Sequence, residues 1–175
     1  MNASKNLVPA RGPRGEASER EIIVCTMPGT LIQINVSAGG MPKIAVSEAE
    51  VSRDGVAGDW QTNRKYHGGP DRAVCLFSQE LYAWLADEHG IALQPGSIGE
   101  NFTTAGVDLM ALRKGDRLRV GKCVIEITNV RVPCKNLLQW DLRLLEAIKE
   151  HSGWVAKVIE EATVRPGDAI ELLAS

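Results

Sequence analysis

Cys123-Val124-Ile125-Glu126-Ile127-Thr128-Asn129-Val130-Arg131-Val132-Pro133-Cys134-Lys135-Asn136 is a β-branched run that stops at a proline and presents a cysteine just beyond it. Residues 123–128 are rich in β-branched side chains, alternate in part, and are entered from the Gly115-Asp116 and Gly121-Lys122 turns, which is the pattern of a strand. Pro133 has no amide hydrogen to give a sheet, so the ladder is expected to end there with Cys134 at the strand's rim. Arg131 and Lys135 flank that thiol, and positive charge favours thiolate, the form that attacks sulfur or binds a soft metal. The competing reading of Cys134 is an ordinary buried cysteine.

Outward from this run the chain is punctuated in the same way. Gly115-Asp116 and Gly167-Asp168 each feed a short strand, and residues 22–24, 30–36, 44–51, 73–77 and 154–164 supply further strand candidates. Many short strands between turn signals predict a mainly β fold with a few helices, of barrel or sandwich type. Ser78 is a good cap for a helix over residues 79–89 that Gly90 ends, with Leu81, Trp84 and Leu85 on one face. Asp141 is expected to cap a second helix reaching about Glu150, with Leu142, Leu145 and Ile148 sharing a face. Cys75, in the apolar run 73–77, reads as core, as does Trp84; His89 and His151 stand near helix ends and need no catalytic explanation.

A chain of 175 residues that is 44% hydrophobic buries one sizeable core and is short for two. Residues 1–20, rich in Pro, Gly, Ser and charge, are expected to form a flexible tail, and residues 21–175 one domain. A net charge of -2 argues against a general grip on nucleic acid. Cys25, Cys75, Cys123 and Cys134 form no CxxC pair, so neither a zinc finger nor a disulfide framework is indicated. Pro9, Gly12, Pro13, Gly15 and several charges interrupt the N-terminal stretch, which lacks the apolar run of a signal peptide or membrane span. A cytoplasmic protein with no membrane or nucleic-acid partner is expected.

Three polar stretches are candidates for a site. The long loop from Gly58 to Arg72 brings His67, Asp71 and Arg72 together as a titratable base, an acid and a fixed cation; a loop-bracing hydrogen bond is the other reading of His67. In residues 37–43, Gly39-Gly40 permits close approach of the backbone, and Lys43 is either an anion contact or a solvated lysine. Residues 94–102 again combine glycines with proline, and Asn101 offers both donors and acceptors.

His67-Gly68-Gly69-Pro70-Asp71-Arg72-Ala73-Val74, Gly96-Ser97-Ile98-Gly99-Glu100-Asn101-Phe102, Lys114-Gly115-Asp116 and Arg131-Val132-Pro133-Cys134 occur in the order and spacing of the MOSC family, which this chain resembles from about Ile22 to about Leu173. Small stand-alone bacterial members have this length. The resemblance implies a single closed β-barrel of the pyruvate-kinase-insert kind, in the α+β class, and binding of molybdenum cofactor, a pterin dithiolene carrying molybdenum and a phosphate. It also implies that Cys134 ligates the metal or handles sulfur, and that His67, Asp71, Arg72, Glu100 and Asn101 line the pocket. Lys43, Arg131 and Lys135 are looser candidates for its phosphate or pterin. The domains of larger relatives are not expected, so PLP is not expected to bind this chain directly.

The function implied by this resemblance is a molybdenum-dependent oxidoreductase that reduces an N–O bond of a small N-hydroxylated compound at a metal held by Cys134. His67 or Asp71 would deliver the proton. With no ferredoxin-type cysteine cluster, its electrons would come from a separate donor. The alternative is a non-enzymatic sulfur carrier or cofactor chaperone, using a Cys134 persulfide and a cysteine desulfurase as partner. A thiol hydrolase using Cys134, His67 and Asp71 is a third reading, although no nucleophile elbow surrounds the cysteine.

Overall fold

The computed structural model describes residues 28–60 and 68–174. The expected tail, the strand at 22–24, Cys25 and His67 lie outside them. In chain order the elements are β1 (Gly29–Val36), β2 (Ile44–Val46), β3 (Ala49–Ser52), β4 (Gly55–Val56), β5 (Val74–Ser78), α1 (Gln79–His89), β6 (Phe102–Ala105), β7 (Arg117–Val120), β8 (Cys123–Val130), α2 (Leu144–Ala147), β9 (Trp154–Glu160), β10 (Ala162–Val164) and β11 (Ala169–Leu173). Short 3-10 turns occupy Pro70–Arg72 and Lys135–Gln139.

Strands pair in the order β1-β11-β7-β8-β9-β5-β6 and return to β1, which closes a barrel. The closing seam is brief: Gly29 faces Ile170 and Thr30 faces Ala169. β2 adds to β1 outside the ring, and β10, β3 and β4 form a separate small sheet. Every pairing is antiparallel except β5 with β6, which α1 connects. The mainly β class is therefore as the strand pattern predicted, and the closed barrel is as the family resemblance implied. Alternation fills the interior: Leu118 and Val120 of β7 are fully buried while Arg117 and Arg119 point to water. Leu31, Ile34, Leu76, Phe77, Phe102 and Ile125 join them in the core. No helix among the described residues is long and apolar enough to cross a membrane.

α1 follows its capping chemistry. The Ser78 hydroxyl accepts the Leu81 N–H at 3.2 Å, and Gly90 ends the helix at φ 66°, left-handed backbone that suits glycine. Leu81, Tyr82 and Leu85 are buried, and the ring of half-buried Trp84 meets those of His89 and His151, each with its centroid 4.6 Å away.

Elsewhere the structure corrects the sequence reading. Residues 44–51 do not form one strand: β2 pairs with β1, and β3 joins the small sheet through β10. The stretch 154–164 divides likewise, because β9 stays in the barrel while β10 leaves it. The helix expected from Asp141 to Glu150 shrinks to Leu144–Ala147. The Asp141 carboxylate accepts the Arg143 N–H at 2.8 Å, a tight local turn in place of a helix cap, and Leu142 is 82% exposed. β8 also ends before its proline. Val130 is the last residue in the ladder, opposite Trp154, and the Arg131 N–H closes it on the Gly153 carbonyl at 3.0 Å. Cys134 accordingly begins the 3-10 turn Lys135–Gln139 and does not stand on the strand's rim.

Candidate functional site

Asn101, at the entry to β6, is the residue that ties the candidate site together. Its side-chain oxygen accepts the Cys75 N–H at 3.1 Å, and its amide donates to the Asn35 carbonyl at 3.3 Å and to Asp59 Oδ2 at 2.9 Å. One side chain thus joins β5, β1 and the segment after β4, the full use that a buried amide requires. Asp59 also accepts the Ser37 N–H at 2.9 Å and holds the Lys43 ammonium at 2.6 Å. That largely buried ion pair fixes the 37–43 loop, and the Lys43 N–H reaches the Gly96 carbonyl at 3.0 Å. Lys43 is therefore committed to Asp59.

Glu100, at 0% exposure, is enclosed by donors. Its carboxylate accepts from the Gly96 N–H at 2.7 Å, the Thr103 hydroxyl at 2.8 Å, the Tyr82 hydroxyl at 2.9 Å and the Asn35 amide at 3.5 Å. Burial pushes the Glu100 pKa up, opposed by these hydrogen bonds, and burial beside Glu100 pushes the Tyr82 phenol up too. From this position Glu100 shapes the 96–101 loop from beneath.

The segment after β8 lands on the same loop. Arg131 Nη2 donates to the Ile98 carbonyl, while Trp140 Nε1 donates to the Ser97 carbonyl at 2.9 Å. The Arg131 carbonyl accepts the Ser152 hydroxyl. Arg131 Nη1 is buried without a hydrogen-bond partner among the described residues. Between the two anchors Cys134 is half-buried, and its carbonyl accepts the Leu137 N–H at 3.1 Å. Lys135 is exposed.

Cys75 departs from its expected place in the core. Its strand neighbours Val74 and Leu76 are fully buried, whereas Cys75 is half-buried. Burial raises its thiol pKa; Arg131 and Lys43 oppose that rise, and Glu100 and Asp59 add to it. The charges around Cys75 are thus those of the site itself. A nearly continuous apolar run gave no sign that this one position differs from its neighbours.

Asp71 and Arg72 are exposed on the Pro70–Arg72 turn, which the Thr128 hydroxyl fixes to β8 by donating to the Asp71 carbonyl at 2.6 Å. Of the residues expected from the sequence, Lys43, Glu100, Asn101 and Arg131 are thus joined through the 96–101 loop. Cys134 lies three residues beyond Arg131, and Asp71 stands on the turn that Thr128 ties to β8. Sequence reasoning missed Asn35, Asp59, Tyr82 and Trp140. An Asn between Ile34 and Val36, and a Tyr beside Leu81 on the buried helix face, were readable signals of buried polar contacts; Trp140 carried none.

Residues 63–171, more than half of the chain, match the family model described as the MOSC domain. The chain belongs to the MOSC family. It is 31% identical over 143 residues to YflK of Bacillus subtilis (strain 168), covering 79% of this chain and 65% of that protein. Over 127 residues it is 31% identical to the MOSC protein YiiM of Escherichia coli (strain K12), covering 69% of this chain and 57% of YiiM. The chain therefore spans less than two thirds of the length of either relative. The crystal structure of YiiM from Escherichia coli superposes with a TM-score of 0.66 at 26% identity, covering 84% of this chain and 70% of that one. YiiM from Geobacillus stearothermophilus shares the fold, with a TM-score of 0.70 at 24% identity over 84% of this chain and 76% of that one.

Proposed function

We propose that this MOSC protein binds molybdenum cofactor through Cys134 and reduces the N–O bond of small N-hydroxylated compounds. The observation that carries the reading is Arg131, with one guanidinium nitrogen fixed on the Ile98 carbonyl and the other buried without a partner among the described residues, three residues before a half-buried thiol. A guanidinium suits phosphate or a pterin oxygen, and a thiolate suits a soft metal. Among the described residues no three His, Cys, Asp or Glu side chains converge on a metal position. A metal that arrives on its own organic ligand and takes a single protein thiolate fits this donor set.

When bound, the cofactor supplies two-electron redox chemistry at the N–O bond. Arg131 and exposed Lys135 and Arg72 offer positive charge to its anionic parts, while Lys43 contributes by holding the 37–43 loop through Asp59. Asp71, on its exposed turn, or His67 protonates the leaving oxygen. Glu100 and Asn101 act at one remove, keeping the loop that Arg131 grips in shape. Electrons come from a separate donor, and the cytoplasm is the expected compartment. In protein from a cofactor-competent host, Cys134→Ser should lower bound molybdenum by about tenfold or more and abolish reduction of hydroxylaminopurine. Elemental analysis showing full molybdenum with unchanged activity would overturn the assignment.

A sulfur-carrier role is favoured by one feature: Val132 and Leu142, which precede and follow Cys134 in the chain, are 80% and 82% exposed, apolar surface that a protein partner could cover. After incubation with a cysteine desulfurase and cysteine, a carrier gains ~32 Da on Cys134, the mass of one sulfur added as persulfide.

A further inference from the structure

We infer that Trp140 is a positioning residue for the Cys134 thiol, because residues 131–140 form an arch whose two feet stand on adjacent carbonyls of the 96–101 loop. One foot is the Arg131 guanidinium on Ile98, and the other is the Trp140 indole N–H on Ser97 at 2.9 Å. Ten extended residues span roughly 30 Å, whereas neighbouring carbonyls lie about 4 Å apart, so the chain has to rise from the loop and come back to it. Cys134 stands on the rising side.

The arch would not hold this shape alone. Its returning limb is the 3-10 turn Lys135–Gln139, a conformation with poor hydrogen-bond geometry that rarely persists without tertiary support. Support comes from fully buried Leu137, whose N–H bonds the Cys134 carbonyl and whose carbonyl accepts the Trp140 N–H, both at 3.1 Å. Cys134, Leu137 and Trp140 therefore form one bonded series that ends on Ser97. The indole nitrogen is a donor only, and Trp140 is 36% exposed, so water is the alternative partner for its N–H. Donation to Ser97 instead makes the thiol's position depend on the loop, and a group that settles on residues 96–101 meets a thiol already placed.

The functional meaning of the arch rests on Cys134 being the working thiol, but its test reads that thiol directly in cofactor-free protein. Trp140→Phe keeps a ring and removes the donor; Trp140→His restores a ring N–H. Iodoacetamide modification, followed peptide by peptide across pH, should be about threefold or more faster at Cys134 in the Phe variant, a change on the scale of one lost hydrogen bond. The His variant should return to within about twofold of the parent. Fully buried Cys123 is the internal reporter of unfolding and should stay unmodified throughout. An unchanged Cys134 rate in the Phe variant overturns the inference, and so does an increase that His fails to reverse. Should Cys123 react in the Phe variant, the parent chain decides: the Trp140 indole proton should exchange with deuterium at least about tenfold more slowly than that of Trp60, which is 63% exposed. Equal exchange overturns the inference. Loss of molybdenum binding would leave these readouts unaltered, so the two ideas fail separately.

Discussion

Glu100 shows how a single side chain holds the site. Four donors point at a carboxyl group with no access to water, so Glu100→Ala should cost about 3 kcal/mol or more in urea denaturation, the consequence of leaving buried donors unpaired. Glu100→Gln preserves the shape and removes the titration. Because burial raises the folded pKa above its unfolded value, the group's contribution to stability is complete below the unfolded pKa and declines as pH rises through the folded one. The Gln variant should therefore gain on the parent as pH climbs from about 4 towards 8, the range that begins at the ordinary carboxylate pKa. A difference that stays flat across that range contradicts the sign. The glycine-bearing loop marked Asn101 as a site residue and the family resemblance added Glu100, but their burial was hidden. It comes from Asn35, Tyr82 and Asp59, which lie far off along the chain and converge only on folding.

At the scale of elements, local chemistry was legible where it acted alone. Ser78 and Gly90 bracket α1 because cap and stop are each decided within four residues. The helix expected after Asp141 failed because the same carboxylate serves a turn equally well, and apolar periodicity cannot tell Leu142 in water from Leu144 in the core. Division of 44–51 between two sheets depends on partners more than a hundred residues away for β3, which no local pattern encodes. The 96–101 loop is the element most sensitive to change. A Cβ on Gly96, at φ 91°, would lie 2.3 Å from the Lys43 carbonyl oxygen. Gly96→Ala should thus cost about 2 kcal/mol or more and disturb the Lys43 loop together with the Glu100 cage. Chemical denaturation with amide-resolved spectra would report both effects.

For the molecule as a whole, the barrel is unevenly fastened. β8 and β9 pair from Val124–Glu160 to Val130–Trp154, whereas β1 meets β11 through Gly29–Ile170 and Thr30–Ala169. Among the described residues, the Leu31 N–H to Asp168 carbonyl bond at 2.9 Å and the Gly167 N–H to Leu31 carbonyl bond at 2.8 Å extend that closure. Native-state hydrogen exchange should find the seam amides of residues 30, 31 and 167 opening before those of β8 and β9. Protection as strong at the seam as in β8 would refute this ordering. The ring also obeys a rule of parity. Reversing direction at every step around a circle demands an even count, and this circle holds seven strands, so one neighbouring pair has to run the same way. That pair is β5 and β6, which no hairpin can join. The chain must travel out along α1 and come home through residues 90–101, so the strip of backbone that receives Arg131 and Trp140 is the return journey imposed by an odd number.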